Sequence, residues 1–246
     1  MSTYHSKKAK EFLKDPKKVE RHDRTFWSLR QKRDAAAAEL PEWEDLREHA
    51  SRIKEHTATH LADYLEQFSN SLERNGVIVH FAKDAQEFNE MVYGILESHK
   101  VKKLVKSKSM LTEECEMNPY LIKRGINVVE SDLGERILQL MHLKPAHIVM
   151  PAIHLTRDEI GEMFEEKGIS KEKGNHDPAY LTRCAREDLR GDFMDADAGL
   201  TGCNFGVAAT GDCVVCTNEG NADMSTSVPK LHIVAMGIEK VIPDYD

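Results

Sequence analysis

Gly76-Val-Ile-Val-His-Phe-Ala-Lys-Asp84-Ala-Gln-Glu87-Phe88 is the stretch on which the reading of the fold turns. The apolar run Val77 to Phe81 predicts a strand. Asp84 and Glu87 have the spacing of a reciprocal capping box, and Phe88, Met91, Val92 and Ile95 form the inner face of the helix that follows. The same rhythm repeats downstream: a strand at Leu104 to Lys106, a helix opening near Met110, a strand at Ile126 to Glu130, a helix at Glu135 to His142 and a strand at His147 to Pro151. Thr156 and Glu159 predict a second capping box ahead of Ile160, Met163 and Phe164, with Gly168 as the stop. Asp177-Pro178 opens a helix reaching about Arg190, because proline is preorganised for the first helical position. Phe205 to Ala209 and Cys213 to Thr217, separated by Thr210-Gly211-Asp212, predict a β-hairpin with Gly211 at positive φ, and Leu231 to Met236 is the last strand. Such alternation predicts an α/β fold, a mainly parallel sheet with helices on both faces.

Upstream of Gly76 no strand is visible. From Glu42 to Leu72 the residues Leu46, Ala50, Ile53, His60, Leu61, Tyr64, Leu65 and Phe68 recur at helical spacing, which predicts one long amphipathic helix. Ala35 to Ala38 favours helix, and Pro41 most simply starts the next one. The division that follows is a helical N-terminal arm and long helix over residues 1–75 and an α/β domain over 76–246, without internal repeat or low-complexity linker.

At 246 residues, 40% of them apolar and 31% charged, the chain is long enough for a sizeable core. A net charge of -8 argues against nucleic-acid binding, which needs a basic surface to release counterions. Lys7, Lys8, Lys10, Lys14, Lys17, Lys18, Arg21, Arg24, Arg30, Lys32 and Arg33 crowd the first fifty positions, either as a solvated helical face or as a surface for an acidic protein. No apolar run is long enough to span a bilayer, and Met1 to Asp15 lacks the apolar core of a signal peptide, so a cytoplasmic location is expected. Five cysteines do not make a secreted disulfide framework and read as thiols.

Among candidate sites, Cys213-Val-Val-Cys216 has the spacing of a zinc or redox half-site, but on a strand positions i and i+3 point to opposite faces, and no second half-site completes four ligands. Small buried side chains are the expectation there, and no metal site is assigned to this chain. His56 and His60, four apart on a helix, lack a third ligand, and His142, His147 and His154 have no diagnostic spacing. Lys106-Ser-Lys-Ser-Met-Leu-Thr-Glu-Glu114 leads from a strand into a helix, the edge where open α/β sheets gather ligands. Ser107, Lys108, Ser109, Thr112 and Glu113 are its candidate binding residues, against the alternative of an ordinary helix start. A second candidate runs through Thr201, Gly202, Asn204, Thr210 and Gly211 to Asn218, Glu219, Gly220 and Asn221, where the glycines suggest backbone approaching a ligand or another backbone. Glu219, read as the end of a strand, is the candidate nucleophile or base. Tight turns without a ligand are the alternative.

KSKSMLTEE, VVESDLGERILQL, PAIHLTRDEIGEMF, TGCNFGVAATG and the TNEGN to HIVAMGIEKVIP ending together resemble the lactate-utilisation protein B family, in order from about His56 to Pro243. The resemblance implies an N-terminal LUD domain with a fold of the sugar-isomerase and coenzyme A transferase type. It also implies an iron-sulfur electron-transfer subunit that works beside two partner proteins in oxidising L-lactate to pyruvate. Family members usually continue beyond the GIEKVIP segment into a ferredoxin-like region with closely spaced cysteines, whereas this sequence ends at Asp246 without a C-x-x-C-x-x-C-x-x-x-C-P run. No cofactor is therefore expected in this chain, and 4Fe-4S clusters are expected in a missing C-terminal region. Where the family commonly has a glutamate before Thr210, this chain has Ala209, which weakens a catalytic acid in the hairpin. A docking and scaffold role is the leading expectation. Its alternatives are an acyl-coenzyme A or small-molecule enzyme using Glu219, and an oligomerisation domain using the basic arm.

Overall fold

The computed structural model describes residues 3–245. Met1, Ser2 and Asp246, the outermost positions of the two predicted domains and of the leader and chain-end readings, lie outside the described residues. The arm is α1 (Thr3–Phe12) and α2 (Pro16–Ala38), the latter started by Asp15, whose carboxylate accepts from Lys17 N and Lys18 N. The predicted long helix is two helices, α3 (Trp43–Thr59) and α4 (Leu61–Arg74), broken at His60. Thr57 and Thr59 turn their hydroxyls back onto the carbonyls of Ile53 and Glu55, and such back-bonding weakens the helix where it breaks.

The predicted strand Val77 to Phe81 is not one. Gly76 closes α4 at φ 82°, Val77 N returns to Leu72 O, and the segment runs on unpaired with Ile78 80% exposed. Val79 alone of its apolar residues packs beside Phe68 and Leu72. Asp84 caps α5 (Ala85–Ser98) by accepting from Glu87 N, as predicted, but the Glu87 carboxylate takes the Lys83 N–H in place of the cap's own.

The parallel sheet begins at β1 (Lys103–Lys106) and adds β2 (Asn127–Glu130), β3 (Ala198–Gly202) and β6 (Leu231–Ala235) in the order β2-β1-β3-β6. Helices α6 (Met110–Glu114) and α7 (Met117–Ile122) join β1 to β2; α8 (Leu133–Met141), α9 (Arg157–Glu166) and α10 (Pro178–Met194) join β2 to β3. Alternation along β1 splits the core: Leu104 meets α5 and α7 through Val92, Leu96, Met117 and Leu121, while Val105 meets Leu189 and Phe193 of α10. Each fully buried leucine of this core contributes roughly 1.5–3 kcal/mol. The capping box at Thr156 and Glu159 and the Asp177 cap of α10 form as predicted.

Strand β3 is the main element that the sequence reading missed. Ala198-Gly-Leu-Thr-Gly202 reads as loop, yet it is the buried strand between β1 and β6. Its small residues make room for α11 (Asn221–Ser227), a helix likewise unpredicted: a Cβ on Gly199 would stand 1.8 Å from the Ser225 carbonyl oxygen. Conversely, His147 to Pro151 is a turn, because the His147 Nδ1 accepts from both Val149 N and Met150 N and leaves Ile148 and Val149 exposed. The hairpin forms as β4 (Phe205–Val207) and β5 (Asp212–Val214), with Gly211 at φ 77°, though β5 stops short of Thr217. β7 (Val241–Ile242) pairs with β4 to complete a second, three-stranded sheet. Among the described residues no helix is long and apolar enough to cross a membrane.

Candidate functional site

Parallel register sets Lys106, the last residue of β1, beside Glu130, the last of β2. The Lys106 ammonium is completely buried and donates to both Glu130 oxygens at 2.8 and 3.0 Å and to Glu113 of α6 at 3.1 Å. Glu135, in the first turn of α8, brings a third carboxyl to 3.9 Å from the same nitrogen, and the Asn118 amide of α7 donates to Glu130. Elements flanking two strands thus converge on one cation at the carboxyl edge of the sheet, next to where the chain crosses to the other side of β1.

Burial opposes the charge on Lys106, but Glu130, Glu135 and Glu113 outweigh it and hold its ammonium above the ordinary lysine range. Burial and the negative charge of Glu130 push the Glu135 carboxyl up to about 9, so at neutral pH it is a neutral acid. The cluster then carries one positive and two negative charges, an arrangement that hydrogen bonds must sustain in a low-dielectric setting. Oxygens of Glu113, Glu130 and Glu135 lie within 4.8 Å of one another, the spacing of a divalent-cation site, and the Lys106 ammonium supplies the cation. Glu113 and Glu135 face a cleft of about 180 Å³ walled by Met110, Pro145, Ala146, Ile148 and Pro151. The Glu135 Oε2 is buried without a hydrogen-bond partner, 3.9 Å from the Lys106 ammonium.

The two predicted binding loops do meet at this edge. Gly202 packs against Ser109, the Glu219 Oε2 accepts from Leu133 N at 3.5 Å, and the Asn221 amide reaches the Ser131 hydroxyl at 3.5 Å. Burial and the neighbouring Asp132 raise the Glu219 carboxyl above its ordinary range, with Lys108 opposing. Ser131 in turn donates to Lys106 O. Thr201 shares a 2.9 Å hydrogen bond with His232, whose imidazole burial drives down from its usual range.

The other predicted residues make contacts within the fold. Ser107 and Ser109 are buried, Ser107 N bonds Leu200 O, and Ser109 makes no side-chain cap on the five-residue α6. Thr112 returns its hydroxyl to Ser109 O, and the Lys108 ammonium is tied to Val149 O at 2.6 Å. Asn204 clamps the hairpin by accepting from Cys216 N. Thr210 and Gly211 lie away from the edge, on α4: Asn75 donates to Thr210 O, and a Cβ on Gly211 would fall 2.7 Å from the Ser71 backbone. Glu219 is not at a strand end but in the exposed turn with Asn218, ahead of Gly220, whose φ of 75° starts α11. His56 and His60 stack at 4.4 Å beside Tyr64 on the surface. Local sequence does not mark Lys106, Glu130 and Glu135, the centre of the site, although KLVK and NVVE each end on a charge two residues beyond a buried Leu104 or Val128, hence on the same face.

The LUD domain family matches residues 65–246. The chain is 47% identical over 216 residues to Lactate utilization protein B of Bacillus pumilus, covering 87% of this chain and 45% of that protein. It is 46% identical over 219 residues to the protein of that name from Oceanobacillus iheyensis (89% and 45%), and 46% over 209 residues to that from Geobacillus thermodenitrificans (84% and 43%). The chain therefore spans about half the length of the curated relatives it matches. No solved structure matches. Residues 65–246 cover the sheet, the Lys106 cluster and both loops, and with them the chain belongs to the LUD domain family.

Proposed function

We propose that this chain is the domain of a lactate-utilisation iron-sulfur subunit that docks partner proteins and positions clusters carried elsewhere, in a complex that oxidises L-lactate to pyruvate. The observation that carries the reading is its 44–47% identity, over 84–89% of this chain, to proteins named for lactate utilization. Two features of the structure support docking over chemistry. The carboxyl edge is filled by its own side chains, Lys106, Ser107 and Ser109 all being buried. The arm, by contrast, has no buried residue in α2 and exposes Leu13, Trp27, Leu29 and, just beyond α2, Leu40, large apolar groups of the kind that anchor interfaces. Electron passage from lactate proceeds in steps through clusters, which this reading assigns to sequence outside residues 1–246.

Titration of the two purified partner subunits against this chain tests the proposal. Binding that weakens when residues 1–40 are deleted is expected, and no binding at tens of micromolar would sink it. The alternative enzyme reading finds support in Glu219, which stands over the start of α8 opposite Lys108. Incubation with an acyl-coenzyme A followed by hydroxylamine or borohydride trapping decides it, because an unmodified Glu219 peptide excludes a covalent intermediate on that carboxylate.

A further inference from the structure

Beside the filled carboxyl edge, the cleft between α6, the start of α8 and the turn at 145–151 measures about 180 Å³, below the roughly 300 Å³ at which drug-sized sites begin and of a size for a small metabolite. Its wall is tied down on two sides. The Lys108 ammonium donates to Val149 O at 2.6 Å, and the Phe26 ring of α2 lies edge-on 4.9 Å from His147. The His147 Nδ1 accepts from Val149 N and Met150 N, so that nitrogen carries no proton. Among the described residues the lining holds two carboxyls, Glu113 and Glu135, and no lysine or arginine. Glu135 is 8% exposed, and its Oε2 lacks a hydrogen-bond partner. Glu113 reaches Lys106 through Oε1, which leaves Oε2 for the cleft. Lys106 itself is completely buried and spends its N–H groups on Glu130 and Glu113. The cleft therefore offers oxygen acceptors and negative charge against an apolar wall, and no cation for an anion to meet.

We infer that the cleft binds a small organic ammonium ion, a primary amine carried on a short aliphatic body. The ammonium group donates to Glu113 Oε2 and Glu135 Oε2, and the body covers the side chains of Met110, Ile148 and Pro151. At neutral pH Glu135 is an uncharged acid that still has an accepting oxygen, so the charge recognised is that of Glu113. A divalent metal fits this set poorly. It needs about six oxygens, whereas the wall is apolar and the Lys106 ammonium, 3.9 Å from Glu135 Oε2, repels a double charge. The lactate anion is turned away by the same Glu113 carboxylate, so the ligand of this cleft is a different molecule from the one oxidised in the proposed complex. Partner docking through the arm neither requires the amine nor excludes it.

The test is a nitrogen-15 NMR titration of the 246-residue protein with n-butylammonium chloride, with sodium L-lactate, tetramethylammonium chloride and magnesium chloride as parallel arms. Saturable shifts at the amides of Glu113, Glu135 and residues 146–150, with a dissociation constant in the millimolar range or tighter, are expected from butylammonium. Tetramethylammonium, which has the charge but no N–H to donate, should leave those amides unmoved, as should lactate. E113Q removes the charge and should weaken butylammonium about ten-fold. M110W, which fills the cleft from α6 without touching either acid, should abolish the shifts while the far-ultraviolet dichroism stays that of the folded chain. Saturation by lactate or magnesium in place of butylammonium, butylammonium binding undiminished in a folded M110W, or no saturation by tens of millimolar would overturn the proposal.

Discussion

The segments 106–114 and 198–221, which meet at the carboxyl edge through Ser109 and Gly202, are held by opposite means. The first is held by charge: a buried ammonium bridges carboxylates from β2 and α6, with Glu135 of α8 within 3.9 Å. The second is held by the absence of side chains, with Gly199 under α11, Gly202 on Ser109, Gly206 on Phe68 and Gly211 on the Ser71 backbone. Polar composition in a sequence thus conceals two structural roles. In one, polar groups pay for each other's burial; in the other, small residues let two pieces of backbone touch.

Removing the cation should have the largest effect. K106M leaves Glu130 buried without its counter-charge and should cost about 3–5 kcal/mol by urea unfolding. A loss below about 1 kcal/mol would mean that the segment is held by packing and that the contrast is wrong. On the other side, G199A should cost about 3 kcal/mol, because the obstruction is the Ser225 carbonyl and no side chain can swing away. A neutral result would show that α11 adjusts freely and that the glycines do not hold this segment.

Glu135 sharpens the first half of the comparison. E135Q, a neutral isostere, should match the wild type within about 1 kcal/mol at acid pH and be the more stable protein at neutral pH, where the wild-type chain must take up a proton at Glu135 to fold. Its pH dependence is the more telling readout. The folded chain keeps the Glu135 proton up to about 9, while the unfolded chain releases it in the usual carboxylate range, so the folded state holds more protons between those limits. This group's contribution is therefore full at acid pH, declines as pH rises through that window and levels off above about 9. Burial depresses His232 and His154, which act with the opposite sign at the acid end, so the difference between wild type and E135Q isolates the carboxyl. Equal slopes for the two proteins would place a charged Glu135 in the cluster. The smallest effect belongs to I78S, within about 0.5 kcal/mol, because this exposed residue lies in a segment without strand partners.

That last case shows what was legible in the sequence and what was not. Caps at Asp84, Thr156 and Asp177, the hairpin turn at Gly211 and strands β1, β2 and β6 follow from local chemistry and are where the sequence puts them. Strand identity at Val77 and at Ala198 is not local. VIVHF has the apolarity of a strand and no partner; AGLTG has the composition of a loop and two partners. At the site, the two loops were legible one by one from their polar and glycine-rich character, but their meeting, with Gly202 against Ser109, was not. The centre was not, because a lysine or glutamate closing a strand looks like a solvated end until register sets Lys106 beside Glu130.

The order β2-β1-β3-β6 also carries a kinetic consequence. Lys103 pairs with Asn127 only 24 residues on, whereas Leu104 meets Ala198 across 94, nearly two doublings of loop length and roughly 1 kcal/mol more closure entropy. The β1–β2 unit therefore assembles early, and β1 waits with one row of amides and carbonyls unpaired until β3 arrives. During that interval the nascent chain presents a hydrophobic sheet edge, Leu104 and Val105, to any other strand within reach, so association of partly folded molecules should begin there.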